Sequence, residues 1–366
     1  MKHFFIVLLI FLIACCTGFS KIEMSNAVII PDIEPEIELE EEIEAAVEIA
    51  AEPVIEEEDL SIFIFEPNSE LPAIAFKEVW GYVISGQERA LTRGLPITDV
   101  VHFSADINSY GTLGAAPNRR NISTFTGRVH LAVTSSSTAA TYFALLPGSH
   151  QRETLIADLL RAAQNYDGIN IDIENIPARS GDAFLSFLSE LRDGLIVNGK
   201  MLTVALYART RTIANDVYDY QRIKPLVDRI FVMAYDEHWS GSAPGPISTI
   251  RWCRSVADYS MRVVGAEKLI MGMPFYGRAW ESENHARAMV YSTIERLIQS
   301  QNAVVTRENG TPTFNYQADV NVKVYYEDEY SIYSRMEMYK SMDVTNIGFW
   351  RVGQETQRVW NTIKLE

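Results

Sequence analysis

The run Tyr166-Asp167-Gly168-Ile169-Asn170-Ile171-Asp172-Ile173-Glu174 places three polar side chains two residues apart, each separated from the next by an isoleucine. On an extended strand successive side chains point to opposite faces, so Asn170, Asp172 and Glu174 share one face and the isoleucines the other. If the isoleucines pack on a helix layer, the strand is buried on both sides, and a carboxyl group buried without a task is costly. Two carboxyls held this way suit acid–base chemistry. Asp172 repels a second negative charge, which suits Glu174, at the end of the run, to hold a proton and give it to a leaving oxygen. Asp167 is expected to shape the strand entry rather than react.

Such a strand needs neighbours that bury it. From about Phe76 short apolar runs alternate with helical patterns, as in a parallel sheet of βα units. Eight strands are expected: Glu78–Ser85, Asp99–Asp106, Arg128–Thr134, Gly168–Glu174, Leu202–Tyr207, Arg229–Tyr235, Lys268–Pro274 and Asn346–Val352. Phe184, Leu188, Leu191 and Leu195 form one helical stripe, and Leu155, Ile156, Leu159, Leu160 and Ala163 another. The pattern predicts an α/β fold, a (β/α)8 TIM barrel over residues 75–366, whose strands end at a catalytic face. The chain exceeds the roughly 250 residues usual for that barrel. The surplus falls after the seventh strand, so residues 281–340, with the β-rich tract Val322–Tyr326 and a helix over Tyr330–Lys340, are expected to form a small α+β insertion. A doubly wound sheet would want a glycine-rich phosphate loop after an early strand, and none is present.

Four motifs in order carry a resemblance. The catalytic run resembles the D-G-x-D-x-D-x-E signature of glycoside hydrolase family 18, the chitinase-like barrels, with Asn170 where the pattern has its middle aspartate. Met233-Ala234-Tyr235-Asp236 is similar to the family's M-x-Y-D, Gly272-Met273-Pro274-Phe275-Tyr276-Gly277-Arg278-Ala279-Trp280 to its seventh-strand motif, and Gly348-Phe349-Trp350 to its last strand. Asp-Gly-Ile-Asn-Ile-Asp-Ile-Glu with Tyr-Asp-Glu-His-Trp looks most like the spore-cortex-lytic, bacterial cell-wall N-acetylglucosaminidase branch. The resemblance implies hydrolysis of β-1,4 linkages in N-acetylglucosamine-containing glycans, peptidoglycan or chitin-like, by a substrate-assisted retaining mechanism. It implies Glu174 as acid and base, Asp172 as partner of the acetamido group, Tyr235 orienting that group and Asn170 orienting Asp172. Trp350 would floor the sugar site, Asp236 bind sugar or lie near Glu174, and Tyr276, Arg278, Trp80 and Tyr82 line the cleft.

Charge and composition narrow the partners. The chain of 366 residues has 48 acidic and 32 basic side chains, a net charge of -16. Twelve Glu and two Asp between Asp32 and Asp59 account for the imbalance. The remainder is near neutral and lacks a basic stripe, which argues against nucleic acid as a partner. Residues 21–74 read as an acidic linker interrupted by Pro31, Pro35 and Pro53. Residues 1–20 read as a signal peptide: Lys2 and His3 precede the apolar run Phe4–Ala14, and Leu12-Ile13-Ala14-Cys15 resembles a bacterial lipobox. Cys15 is then the lipidation site, and the protein is expected to be an exported lipoprotein held by its lipid at an envelope membrane, outer membrane or surface where two membranes exist.

Other chemistries fit poorly. The six histidines show no metal-ligand spacing, no G-x-S-x-G elbow is present, and Cys253 reads as a buried helical thiol. No cofactor and no metal are expected. His238 either faces the cleft or stands as a loop imidazole. Three readings remain: the hydrolase, a glycan-binding lectin that kept the barrel and lost turnover, and a structural envelope lipoprotein. Retention of Glu174 favours the first.

Overall fold

The computed structural model describes residues 59–366, apart from residues 175, 283, 284 and 319. The signal segment, Cys15 and the acidic tract up to residue 58 lie outside the described residues.

After a short strand, Ile74–Phe76 (β1), seven parallel strands follow: Glu78–Ile84 (β2), Asp99–Asp106 (β3), Arg128–Thr134 (β4), Gly168–Asp172 (β5), Met201–Tyr207 (β6), Arg229–Met233 (β7) and Leu269–Pro274 (β8). Between them run helices Thr138–Leu145 (α1) and His150–Ala162 (α2), Gly181–Ile196 (α3), Tyr220–Ile223 (α4) and Ile250–Val263 (α5). A five-stranded antiparallel sheet and one helix come next: Tyr276–Ser282 (β9), His285–Val290 (β10), Tyr291–Ser300 (α6), Thr306–Glu308 (β11), Thr311–Gln317 (β12) and Asn321–Tyr325 (β13). Helix Glu329–Ser341 (α7) then leads to Asn346–Trp350 (β14), which pairs with both β8 and β2 and closes the eight-stranded barrel. The final strand, Ile363–Leu365 (β15), lies parallel to β1. All eight barrel strands fall where the alternation of apolar runs predicts them.

Strand β5 is buried on both faces. Ile169, Ile171 and Ile173 join the core that includes Leu155 and Leu159 of α2 and Phe184, Leu188, Leu191 and Leu195 of α3. The opposite face looks into the barrel, whose interior is packed by Trp80, Tyr82, Val101, Ala132, Ala205, Phe231 and Ile270. Phe231 fills the middle because the next two strands round the barrel, β8 and β14, carry glycine there. A Cβ at Gly272 or Gly348 would come within 2.4 Å of its ring, which explains the glycines of two of the four motifs.

The barrel floor corrects one expectation. Trp80 lies near the amino-terminal end of β2 with no solvent exposure, stacked on His130 at 4.5 Å between ring centroids, and its indole N–H donates to Glu78. Around it, Arg128 bridges Asp99 and Glu78, Arg229 pairs with Glu78, and His130 meets Asp99 at 2.8 Å. Trp80 therefore plugs the end of the barrel opposite the cleft and lines no part of it. Its height along the axis follows from its register with Asp99.

Two boundaries also move. Residues 59–74, assigned to the linker, pack on the barrel, and the compact unit begins at Asp59. Phe65 meets Tyr333 of α7 edge-on at 4.8 Å, and the amide of Asn68 donates to the Tyr330 hydroxyl. The insertion runs from β9 to β13 rather than over 281–340, with its own core of Ala279, Met289, Ile294, Phe314, Val322 and Val324. The helix expected to end it is the barrel helix α7. Its Asp328 cap is reciprocated by Ser331, and its buried face packs against α5. An ion pair between buried Glu327 and Arg335 joins the end of the insertion to that helix.

Candidate active site

A cleft of about 620 Å³ opens at the carboxyl ends of the strands. Asp172, Glu174, Tyr235, Asp236, Tyr276, Arg278 and Trp350 all line it, so seven of the expected site residues converge on one concave surface. The other expected residues lie elsewhere: Trp80 on the floor, and Tyr82 and Asn170 in the layer beneath the cleft.

Asp172 is the last residue of β5 and only 6% exposed. Its Oδ1 is buried without a hydrogen-bond partner among the described residues. Burial, and secondarily the charge of Glu174, pushes its carboxyl up to about 8. Glu174 stands just past the strand and is exposed. Sequence reasoning put the proton that like-charge repulsion retains on Glu174. The structure puts the rise on Asp172, because that is the acid the barrel desolvates.

Beneath Asp172 a chain of hydrogen bonds crosses the barrel. The Tyr82 hydroxyl donates to Asn170 Oδ1 at 3.0 Å, and Asn170 Nδ2 donates to Thr203 Oγ1 at 2.9 Å. Tyr82 is 1% exposed and touches Trp350 ring to ring at 5.3 Å, so it supports the cleft from below rather than lining it. The hydrogen bonds of Asn170 run to Tyr82 and Thr203 rather than to Asp172, which corrects the expectation that Asn170 orients it directly.

The far wall comes from the sixth barrel strand and the insertion. Asp236, in the left-handed backbone region at φ 62°, turns its carboxylate to β9, where Arg278 pairs with it at 2.7 and 2.9 Å and the Tyr276 hydroxyl donates to it. Asp236 thus anchors the insertion's first strand, and its oxygens are engaged there rather than beside Glu174. Tyr235 packs edge-on to Tyr276. Burial holds the Tyr235 phenol well above its ordinary value, so it remains a donor at working pH. Trp350 closes the cleft on the β14 side against Phe103, ring centroids 4.9 Å apart.

Sequence reasoning missed several lining residues, among them Tyr207, Arg209, Trp239, Trp252 and Gln354. Tyr207 ends the fifth barrel strand, and the rule that singled out Glu174 at its strand end applies to it too. Trp239, 54% exposed, lay inside the Tyr-Asp-Glu-His-Trp motif without a role. His238 bonds the Pro246 carbonyl at 2.7 Å and is not among the lining residues. Cys253 is fully buried in α5, as expected. No cluster of potential metal ligands occurs among the described residues.

This barrel, with an acid pair at the end of its fourth strand, has counterparts among known proteins. Residues 80–355 match the sequence profile of the glycosyl hydrolases family 18. The chain belongs to that family. It is 23% identical over 322 residues to the cortical fragment-lytic enzyme of Bacillus subtilis (strain 168), covering 80% of this chain and 74% of that protein. It is 27% identical over 215 residues to the uncharacterized glycosylase YvbX of the same organism, covering 56% and 62%. A further relative there, 33% identical over 207 residues, is matched over 49% of its own length. The crystal structure of the Bacillus cereus spore cortex-lytic enzyme SleL superposes with a TM-score of 0.71 at 21% identity, over 82% of this chain and 77% of that one, a likeness of fold.

Within the family's acid run, Asn170 is the departure, and its consequence is measurable. Asn170→Asp sets a third carboxyl below Asp172, where the Thr203 hydroxyl can turn to donate to it. An added negative charge makes the pair hold its proton to higher pH. The basic limb of the pH–rate profile is therefore expected to move up by at least about half a pH unit with activity retained. An unchanged profile would count against a role for Asn170 in setting that limb.

Proposed function

We propose that this chain is a glycoside hydrolase cleaving β-1,4 linkages next to an N-acetylglucosamine residue in peptidoglycan or chitin-like glycans, by substrate-assisted retention. One observation carries the reading: a buried carboxyl with an empty Oδ1, Asp172, opens on the cleft two residues before the exposed carboxyl of Glu174. A buried acceptor without a donor is costly, and the N–H of a 2-acetamido group supplies the donor.

The steps follow from that fit. An N–H arriving at Oδ1 favours the ionised form of Asp172, so the single proton of the pair moves to Glu174. Glu174 gives it to the glycosidic oxygen as the acetamido carbonyl oxygen attacks the anomeric carbon, the bond to the leaving sugar breaks, and an oxazolinium ion forms. The Asp172 carboxylate faces the developing positive charge in a desolvated pocket, where such stabilisation is strongest. The Tyr235 phenol donates to the acetamido carbonyl. Water then attacks the anomeric carbon and yields its proton to Glu174, which restores the acetamido group with the original anomeric configuration. The indole face of Trp350 suits the C–H side of the sugar. We place the enzyme at an envelope membrane through a lipid on Cys15, a reading supported by the amino-terminal sequence alone.

The test incubates the purified protein with peptidoglycan and with chitooligosaccharides, identifying products by mass spectrometry and their first-formed anomer by proton NMR. Fragments ending in reducing N-acetylglucosamine, released first as the β anomer, are expected. Binding without products would leave a lectin, and α-anomer products would exclude the substrate-assisted path.

A further inference from the structure

The Glu174 carboxyl must point at the glycosidic oxygen, yet Glu174 lies beyond the end of β5, outside regular secondary structure. Two tyrosines, one at the end of the next strand and one in the loop after it, meet the backbone around it, and a third, Tyr220 at the start of α4, supports the first. The Tyr218 hydroxyl donates to the Ile173 carbonyl at 3.1 Å and accepts from the Ile176 amide at 3.2 Å, so one phenol bridges the backbone on both sides of Glu174. The Tyr207 hydroxyl reaches the Glu174 carbonyl at 3.3 Å, and its proton is also within the influence of the Glu174 carboxylate. Tyr220 donates to the Tyr207 carbonyl at 2.5 Å.

These groups are held in turn by the loop that carries them. Arg209 pairs with Asp216 at 2.7 Å, closing the loop, and Asp216 Oδ1 accepts from the Tyr218 amide at 3.0 Å. The ring of Tyr218 is wedged edge-on against Tyr207 at 5.3 Å and against Phe184 of α3 at 6.4 Å. Burial pushes the Tyr218 phenol up to about 12, so it keeps its donor proton throughout the neutral range.

We propose that the segment Tyr207–Tyr220 is a brace for the acid–base residue, with Tyr207 and Tyr218 as positioning residues that aim the Glu174 carboxyl at the leaving oxygen. The proposal rests on the hydrolase reading above. Each tyrosine acts through Glu174 and contributes to the step in which the leaving group takes a proton. A group displaced by about 1 Å from its productive place loses up to two orders of magnitude in rate, so loss of one bridging hydroxyl is expected to cost about tenfold.

Tyr207→Phe and Tyr218→Phe keep the packed rings and delete the hydroxyls. On the polymer that the wild-type protein cleaves, each is expected to lower kcat about tenfold with KM within about twofold. A leaving group that needs no proton separates positioning from general damage. On a 2,4-dinitrophenyl chitobioside kcat/KM, which reports only the steps up to departure of the leaving group, is expected to fall less than about twofold in each variant, whereas on the 4-methylumbelliferyl analogue, a poorer leaving group, kcat/KM again falls about tenfold. Thermal melting of both variants checks that the fold is retained. Equal losses on the two aryl glycosides, or no loss on the polymer, overturn the brace. A wild-type protein that cleaves no glycan overturns the hydrolase reading itself and the brace with it, and that outcome is visible before any variant is compared.

Discussion

Glu174→Gln is expected to lower kcat by about 10³-fold or more while leaving glycan affinity within about threefold. Three carboxyl groups line the cleft, and their surroundings divide the work among them. Asp236 is engaged by Arg278 and Tyr276, and Asp172 is buried with its carboxyl raised to about 8. Glu174 alone of the three is exposed, and it opens on the cleft. The amide of glutamine fills the same volume and removes both the acid of the first step and the base of the second. On the proposed mechanism affinity is set elsewhere, by the Trp350 face, the Tyr235 donor and the Asp172 acceptor, all of which line the cleft. Hydrolysis followed by mass spectrometry and binding by calorimetry read the two effects separately. Retained turnover in the variant would mean that another group protonates the leaving sugar; lost binding would mean that Glu174 holds substrate rather than reacting.

The same division shows what a linear sequence discloses. The period-two alternation of β5 put Asn170 and Asp172 on the barrel side and their isoleucine neighbours against the helices, because strand geometry dictates both. Strand ends mark the open face of a barrel, so Glu174, Tyr235 and Trp350 were legible as residues that line the cleft there. Alternation says nothing about height along the barrel axis, and Trp80 accordingly turned out to plug the floor. Which acid is desolvated was not legible either, since burial depends on where the strand stops relative to its neighbours. Asp236 finds its partners on β9, some forty residues later, through the antiparallel insertion. The brace on Glu174 depends on a loop closed by Arg209 and Asp216, a pairing that no periodic pattern announces. Residues 59–74 were assigned to the linker because the alternation of the barrel becomes readable only near Phe76, although Phe65 docks on Tyr333.

Asp172→Asn is expected to cost activity and add stability, and the two effects have a common cause. In the folded chain burial raises the Asp172 carboxyl to about 8, whereas in the unfolded chain it ionises near the ordinary value of about 3.9. The folded state therefore binds the extra proton. Below about pH 4 the group is protonated in both states and has no effect. As pH rises from about 4 to about 8 the unfolded chain ionises first, so the acid progressively destabilises the fold, by on the order of several kcal/mol near pH 8. An asparagine mimics the neutral form and escapes that penalty. The variant should melt at least about 2–5 °C higher than wild type at pH 8, with the gain vanishing towards pH 4. In catalysis the charge is what counts: an amide cannot balance the oxazolinium ion, and kcat is expected to fall about 10²-fold or more. Wild-type kcat/KM should itself decline above about pH 8, where the pair loses the one proton that Glu174 must deliver. Melting curves across pH and a pH–rate profile test both halves. A variant no more stable at pH 8 than at pH 4 would show that Asp172 is solvated in solution, whereas unchanged turnover would remove it from the mechanism. On the proposed mechanism the acetamido N–H of the substrate, arriving at the empty oxygen, offsets that cost by making the charged form the favoured one at the moment it is used.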